Sequence, residues 1–148
     1  MTVTVLCVIV HTVIPFSLTF RPGVSIHEQV VYAVKKAIVS GQLRPGAQFP
    51  SVRALSKGLK INPNTAYKVV SVLTAEGLLE VLPGIGTVVA SPASSTPAER
   101  TRLLGDEVEH LVVEAKKMGL ELEDVLSAVS EHWDALRESE SPKEPAER

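Results

Sequence analysis

The stretch Asn62-Pro-Asn-Thr-Ala-Tyr-Lys68 concentrates side chains suited to reading or gripping a polyanion. The Asn64 amide can donate and accept against an adenine edge. Thr65 can meet a thymine methyl or a phosphate, and Lys68 can neutralise a phosphate or reach guanine. Asn62 and Thr65 also have a purely structural use, as caps and stabilisers of a helix start, and the residues leave both uses open. Asn64, Tyr67 and Lys68 lie off the apolar stripe of the same segment, where contact with double-stranded DNA is the favoured use. The free backbone N–H groups of a helix beginning at Asn62 also suit phosphate. Nine residues upstream Arg53 follows Ser51 in what reads as the first turn of another helix. A cation there opposes the helix dipole at a cost of about 0.3–1 kcal/mol. Either an anionic partner or a salt bridge within the fold offsets that cost. Gly84 and Gly86 allow backbone to approach phosphate closely, and equally serve as simple turn residues.

Other chemistry finds no footing. His11, His27, His110 and His132 are scattered. Cys7 and His11 can meet on a helix, but two candidate ligands in a β-prone run do not make a metal site. Glu109-His110 and Glu131-His132 read as solvated helix surface. There is no Ser-His-Asp order, phosphate loop or pocketed carboxylate pair, so neither an enzyme nor a cofactor or metal is expected. One cysteine excludes an internal disulfide and fits a reducing cytoplasm. The net charge of −2 hides a division: residues 21–90 carry 8 basic and 3 acidic side chains (+5), residues 91–148 carry 7 and 14 (−7), and residues 1–20 carry none. A polyanion partner is therefore expected for the first half only.

The elements that must position these groups are legible. Ser25-Ile-His-Glu28 reads as a capping box, followed by Ile26, Val30, Ala33, Val34, Ala37 and Ile38 at helical spacing and a stop at Gly41. Residues 43–46 read as a turn. Ser51 caps a second helix through Lys57, with Val52, Leu55 and Leu59 inward and Gly58 ending it. Asn62 caps a third, with Pro63 at its first position, Ala66, Val69, Val70 and Leu73 inward, and Gly77 as its stop. Residues 78–82 and 87–90 read as strands joined by a turn at 83–86. The short gap between the second and third helices is helix-turn-helix spacing, and the hairpin after it makes a wing.

At the N-terminus, residues 1–20 are uncharged and long enough to be weighed as a membrane span. Val and Thr dominate, Pro15 interrupts, and no basic residue precedes, so a β-prone extension or a misplaced start is favoured and no membrane partner is expected. Residues 16–20 are read as a short strand. The alternative is a membrane-tethered interaction protein whose winged domain binds protein. After a Ser/Pro/Ala linker, Thr96-Pro-Ala-Glu99 is a second capping box. It opens a long helix with Leu103, Leu104, Val108, Leu111, Val112, Ala115 and Met118 on one face, broken by Gly119. A further helix, from about Glu121 to Leu136, turns Leu122, Val125, Leu126, Val129, Trp133 and Leu136 inward. Two helices cannot cover such stripes by themselves, so a homodimer is expected through Leu104, Val108, Leu111, Val112, Ala115, Val125, Val129 and Trp133. The tail is too small to enclose an ordinary small-molecule pocket, and no residue identifies an effector. The expected architecture is mainly α with a small β-hairpin wing: extension 1–15, winged helix-turn-helix 16–90, linker 91–97, two-helix dimerisation segment 98–137, disordered tail 138–148.

The motifs GQLRPG, FPSVRALS, INPNTAYK, EGLLE and GIGT stand in order between Ile26 and Ala90. In that order and spacing the chain resembles the GntR family of bacterial regulators. The NPNT stretch and the short two-helix tail resemble its YtrA-like subfamily. The resemblance implies a repressor that dimerises through its tail, of a kind that often regulates transporter operons; a two-fold dimer in turn leads to the expectation of a near-palindromic operator. It implies that Arg53, Asn64, Thr65, Tyr67, Lys68 and Gly86 touch DNA, with Ser51 a further candidate. The chain departs from the family pattern at His27, Val70 and Val88, where the family carries aromatic residues; the local packing there is open, the fold is not.

Overall fold

The structure is a computed structural model that describes residues 14–138. The expectations for residues 1–13, with Cys7, His11 and the membrane-span question, and for residues 139–148 lie outside the described residues. The described chain falls into two compact units that part between residues 92 and 93.

The first unit holds three helices, α1 (Ile26–Val39), α2 (Val52–Leu59) and α3 (Pro63–Ala75), then β1 (Leu79–Leu82) and β2 (Gly86–Val89). Helices α1 and α2 both pack on α3, and β1 follows directly against it. The apolar stripes read from the sequence meet in one core, in which Val30, Val34, Leu55, Val69, Leu73, Leu79 and Val89 are fully buried. Aliphatic residues dominate, as a chain with only 4% aromatics requires. Among the described residues Phe16 stacks on Phe49, with ring centroids 6.2 Å apart.

Four local expectations need correction. Residues 16–20 form no strand. Their neighbourhood is tied to α1 by the Gln29 side chain instead, whose Oε1 accepts from the Arg21 N–H (2.7 Å) and whose Nε2 donates to the Arg21 and Val24 carbonyls (3.0 Å each). Ser25 sits at the N-cap of α1 but makes no side-chain cap bond, because its hydroxyl is engaged by His27 Nδ1 at 2.6 Å. Gly58 does not end α2. The helix continues to Leu59, and Lys60 turns the chain in the left-handed region at φ 54°. The wing has more than a hairpin: Gln48 bridges Val88, the Gly46 and Phe49 N–H groups donate to Val89 and Thr87, and the Val89 N–H donates to Ala47. Strand β2 is thus paired on both edges, with β1 antiparallel on the other side in the register Leu79↔Val89 to Leu82↔Gly86.

The second unit begins with α4 (Pro97–Thr101), runs through a π-helical turn (Arg102–Glu107) into α5 (Val108–Lys117), and ends with α6 (Leu122–Glu138). The capping box at its start is complete: Thr96 Oγ1 accepts from the Glu99 N–H (3.2 Å), and Glu99 Oε2 accepts from the Thr96 N–H (2.7 Å). Gly119, at φ 75°, closes α5, with the Leu120 N–H returning to the Ala115 carbonyl at 3.0 Å. The expected single regular helix is interrupted by the π turn, whose extra residue shifts Leu103 and Leu104 relative to the stripe below them. The inward facing expected of the second stripe needs correction for the single chain, and the first stripe stays largely uncovered as well. Of their members only Ala115 is buried; Val125 and Leu136 are half-buried, and Leu104, Leu122, Leu126, Val129 and Trp133 are exposed in the single chain. Two helices that touch each other so sparsely leave most of each apolar face in water. No helix among the described residues is long and apolar enough to cross a membrane.

Candidate nucleic-acid interface

The candidate interface is built on the turn between α2 and α3. Leu55 and Ala66 are buried where the two helices meet, and the small Ala66 side chain lets the backbones approach. The turn is locked from within α2: Ser56 Oγ donates to the Ile61 carbonyl at 2.7 Å, and the Ile61 N–H donates back to the Ser56 carbonyl at 3.1 Å. Lys60 takes the left-handed conformation between them. This lock escaped the sequence reading, because a serine inside an amphipathic helix gives no pattern signal and Gly58 offered a more obvious stop.

The candidate residues divide by what they already do. Asn62 Oδ1 accepts from the Asn64 N–H at 2.8 Å, so it caps α3. Ser51 Oγ accepts from the Ala54 N–H at 3.2 Å and caps α2. Thr65 is half-buried. Asn64, Tyr67 and Lys68 lie on the exposed side of α3, opposite Ala66, Val69 and Leu73, and Tyr67 is 66% exposed. An aromatic ring so exposed forgoes most of the burial energy its area offers. Arg53 is exposed on α2 and takes part in none of the ion pairs among the described residues. A salt bridge that would hold it within the fold is therefore absent among them. Among the described residues of this unit the ion pair found joins Lys35 to Glu76 at 2.6 Å, which occupies one of the three acids of residues 21–90 and leaves the basic excess unanswered.

In the wing, Gly84 and Gly86 have φ of 75° and 104°. A Cβ built on either meets nothing within 4 Å, so within the chain these glycines serve backbone conformation and not steric clearance. The turn is tied by the Ile85 N–H, which donates to the Leu82 carbonyl at 3.1 Å.

Three helices, a locked turn and a twice-paired wing form a winged helix-turn-helix. The model for bacterial regulatory proteins of the gntR family matches residues 26–89. Over 112 residues the chain is 32% identical to the HTH-type transcriptional repressor YtrA of Bacillus subtilis, a match covering 75% of this chain and 86% of that protein. This chain belongs to the gntR family. It is a transcriptional regulator with a DNA-binding helix-turn-helix, of YtrA-like type. A match of 112 residues cannot end before position 90, so the likeness to YtrA runs past the wing of this gntR regulator into its helical tail. Among solved structures, a transcriptional antiterminator from Listeria monocytogenes superposes with a TM-score of 0.75 at 21% identity, covering 90% of this chain and 97% of that one. That identity speaks to fold alone. A transcriptional regulator from Oenococcus oeni gives a TM-score of 0.55 at 28% identity, covering 79% and 98%.

Proposed function

We propose that the protein is a cytoplasmic homodimeric repressor that binds a near-palindromic operator. In this reading residues 16–90 bind DNA, 91–97 link, and 98–137 dimerise. The observation that carries the DNA face is the exposed row Asn64, Tyr67 and Lys68 on α3, with Arg53 unpaired nearby in sequence on α2. Helix α3 enters the major groove, where Asn64 reads a base edge and Arg53 and Lys68 meet phosphate or guanine. Thr65 adds a phosphate or methyl contact. Ser51 and Asn62 hold the starts of α2 and α3 with their side-chain oxygens and present backbone N–H groups to phosphate. The wing lies alongside at Gly84 and Gly86. Repression is supported by the likeness to YtrA, a transcriptional repressor. The dimer is supported by the exposed stripes Leu104, Val108, Leu111 and Val112 on one helical run and Val129 and Trp133 on the other, completed by the less exposed Ala115 and Val125. A two-fold pair would set half-sites about 34–36 Å apart, one turn of DNA.

Protection mapping on the DNA upstream of its own gene, followed by titration of that site at several salt concentrations, tests this. A protected site with two-fold symmetry is expected, with log affinity falling against log salt at about −0.9 per phosphate contact. Salt-independent binding, or an asymmetric single half-site, would overturn it.

A further inference from the structure

The helical run that opens the tail changes period part-way. Between α4 and α5, Arg102-Leu-Leu-Gly-Asp-Glu107 forms a π turn, in which a residue stacks on the one five places along instead of four. The ion pair Arg102–Glu107, at 3.7 Å, has that spacing. In a regular α-helix two such residues stand about 140° apart round the axis, too far round to pair well. The same spacing sets Leu103 in line with Val108 on the stripe of α5, whereas regular α spacing sets Leu104 there. The neighbouring leucines thus supply the stripe in either register. Both are largely exposed in the single chain, so burial commits neither. Gly105 stands inside the turn. It has no positive φ, and a Cβ built on it meets nothing within 4 Å, so neither backbone nor space calls for glycine. What it does is loosen the helix, since glycine is the poorest helix former after proline. The Arg102–Glu107 pair, with both ends exposed, is a weak fastening. The flanks are firm: the capping box holds the start of α4, and the Leu120 N–H closes the end of α5.

We propose that Arg102–Glu107 is a one-residue register switch at the head of the dimerisation helix. In the π register Leu103 joins the dimer above Val108. In the α register Leu104 does so, and the chain before residue 102 is turned by one residue, about 100°, round the axis of α5. The dimer keeps a leucine at this level in both registers, so the linker swivels on an intact dimer. An occupied operator favours the register whose linker direction suits its half-site spacing, and thereby shifts the populations. The switch rests on the reading that the tail dimerises.

The test uses full-length protein with Cys7→Ser, spin-labelled at Ala98→Cys, before the turn, or at His110→Cys, after it. Pulsed dipolar spectroscopy reads the distance between the labels of a dimer, free and with a duplex enriched by the protein from a random pool. Expected at position 98 are two distance populations whose ratio the duplex shifts, and at position 110 one population throughout. Glu107→Lys removes the π-spaced pair and should shift the ratio by about two- to five-fold, the worth of an exposed ion pair. A chain lacking Gly105, whose regular helix sets Leu103 four residues before Val108, should show one population at position 98 and stay dimeric. A single population at position 98 with and without DNA overturns the switch and leaves the dimer standing. So does a ratio unmoved by Glu107→Lys or by the duplex, or two populations that survive the loss of Gly105. No measurable distance at either position overturns the dimer reading itself.

Discussion

Single side chains divide into those that hold the helix-turn-helix in shape and those proposed to read DNA. Asn64 has its amide side chain exposed at the start of α3, so Asn64→Ala is expected to weaken binding to the operator more than to scrambled DNA, by about 1–3 kcal/mol on the operator alone. Titration of both duplexes measures this, and equal losses would show that Asn64 reads no base. Lys68→Ala should weaken both duplexes alike and flatten the salt slope by about one contact. Ser56 belongs to the other class. It is half-buried and holds the Ile61 carbonyl, so Ser56→Ala should lower stability by about 0.5–1.5 kcal/mol in denaturant titration. Its loss of DNA affinity should vanish where the fold is saturated, whereas that of Asn64→Ala should persist. The candidate reading residues were visible in the sequence as polar types off an apolar stripe. Ser56 and Lys60 were not, because a turn lock depends on which carbonyl a hydroxyl meets, and spacing does not report that.

Helix ends show how an identical motif diverges. Both Ser25-x-x-Glu28 and Thr96-x-x-Glu99 have capping-box spacing, yet only the second closes. At the first, His27 offers Ser25 a nearer partner. At the second, the Thr96 backbone N–H, followed by the Thr96 hydroxyl, holds the Glu99 carboxyl below its usual range. A lowered folded pKa means that the cap favours the ionised form. Its contribution is present above the ordinary carboxylate pKa and is lost as pH falls through the lowered one. Helicity of wild type by circular dichroism should therefore exceed that of Glu99→Ala near neutral pH, and the two should converge in acid. A difference that persists unchanged at low pH would mean the cap does not depend on the charge. The wing was legible as a hairpin from its glycines and alternation. Its third paired segment, Gly46 to Phe49, was not legible beyond the turn at residues 43–46, since a single bridge leaves no periodic trace.

At the scale of the whole molecule, the two units differ in how complete they are. The first has a closed core, while the second leaves Trp133 72% exposed and Leu104 70% exposed. A chain ending after Ala90 is expected to fold as a monomer and to bind DNA weakly, and full-length protein to sediment as a dimer. Trp133→Ala should cost the dimer about 3–5 kcal/mol if the indole is buried in it. Sedimentation of all three at micromolar concentration is the measurement. A full-length monomer, or a dimeric truncation, would move the interface elsewhere.

Helix order, the helix-turn-helix spacing, the hairpin and the family were determined by the sequence by itself, because each rests on local signals: apolar period, caps, glycine stops and an ordered run of motifs. Tertiary structure decided what depends on distant atoms. It engaged Ser25 with His27, carried α2 past Gly58 to a left-handed Lys60, and bound the segment near residue 21 to the Gln29 side chain in place of a strand. It also left exposed, in the single chain, most of the second tail stripe that periodicity had turned inward. Periodicity says which residues share a face, but only packing says what that face meets.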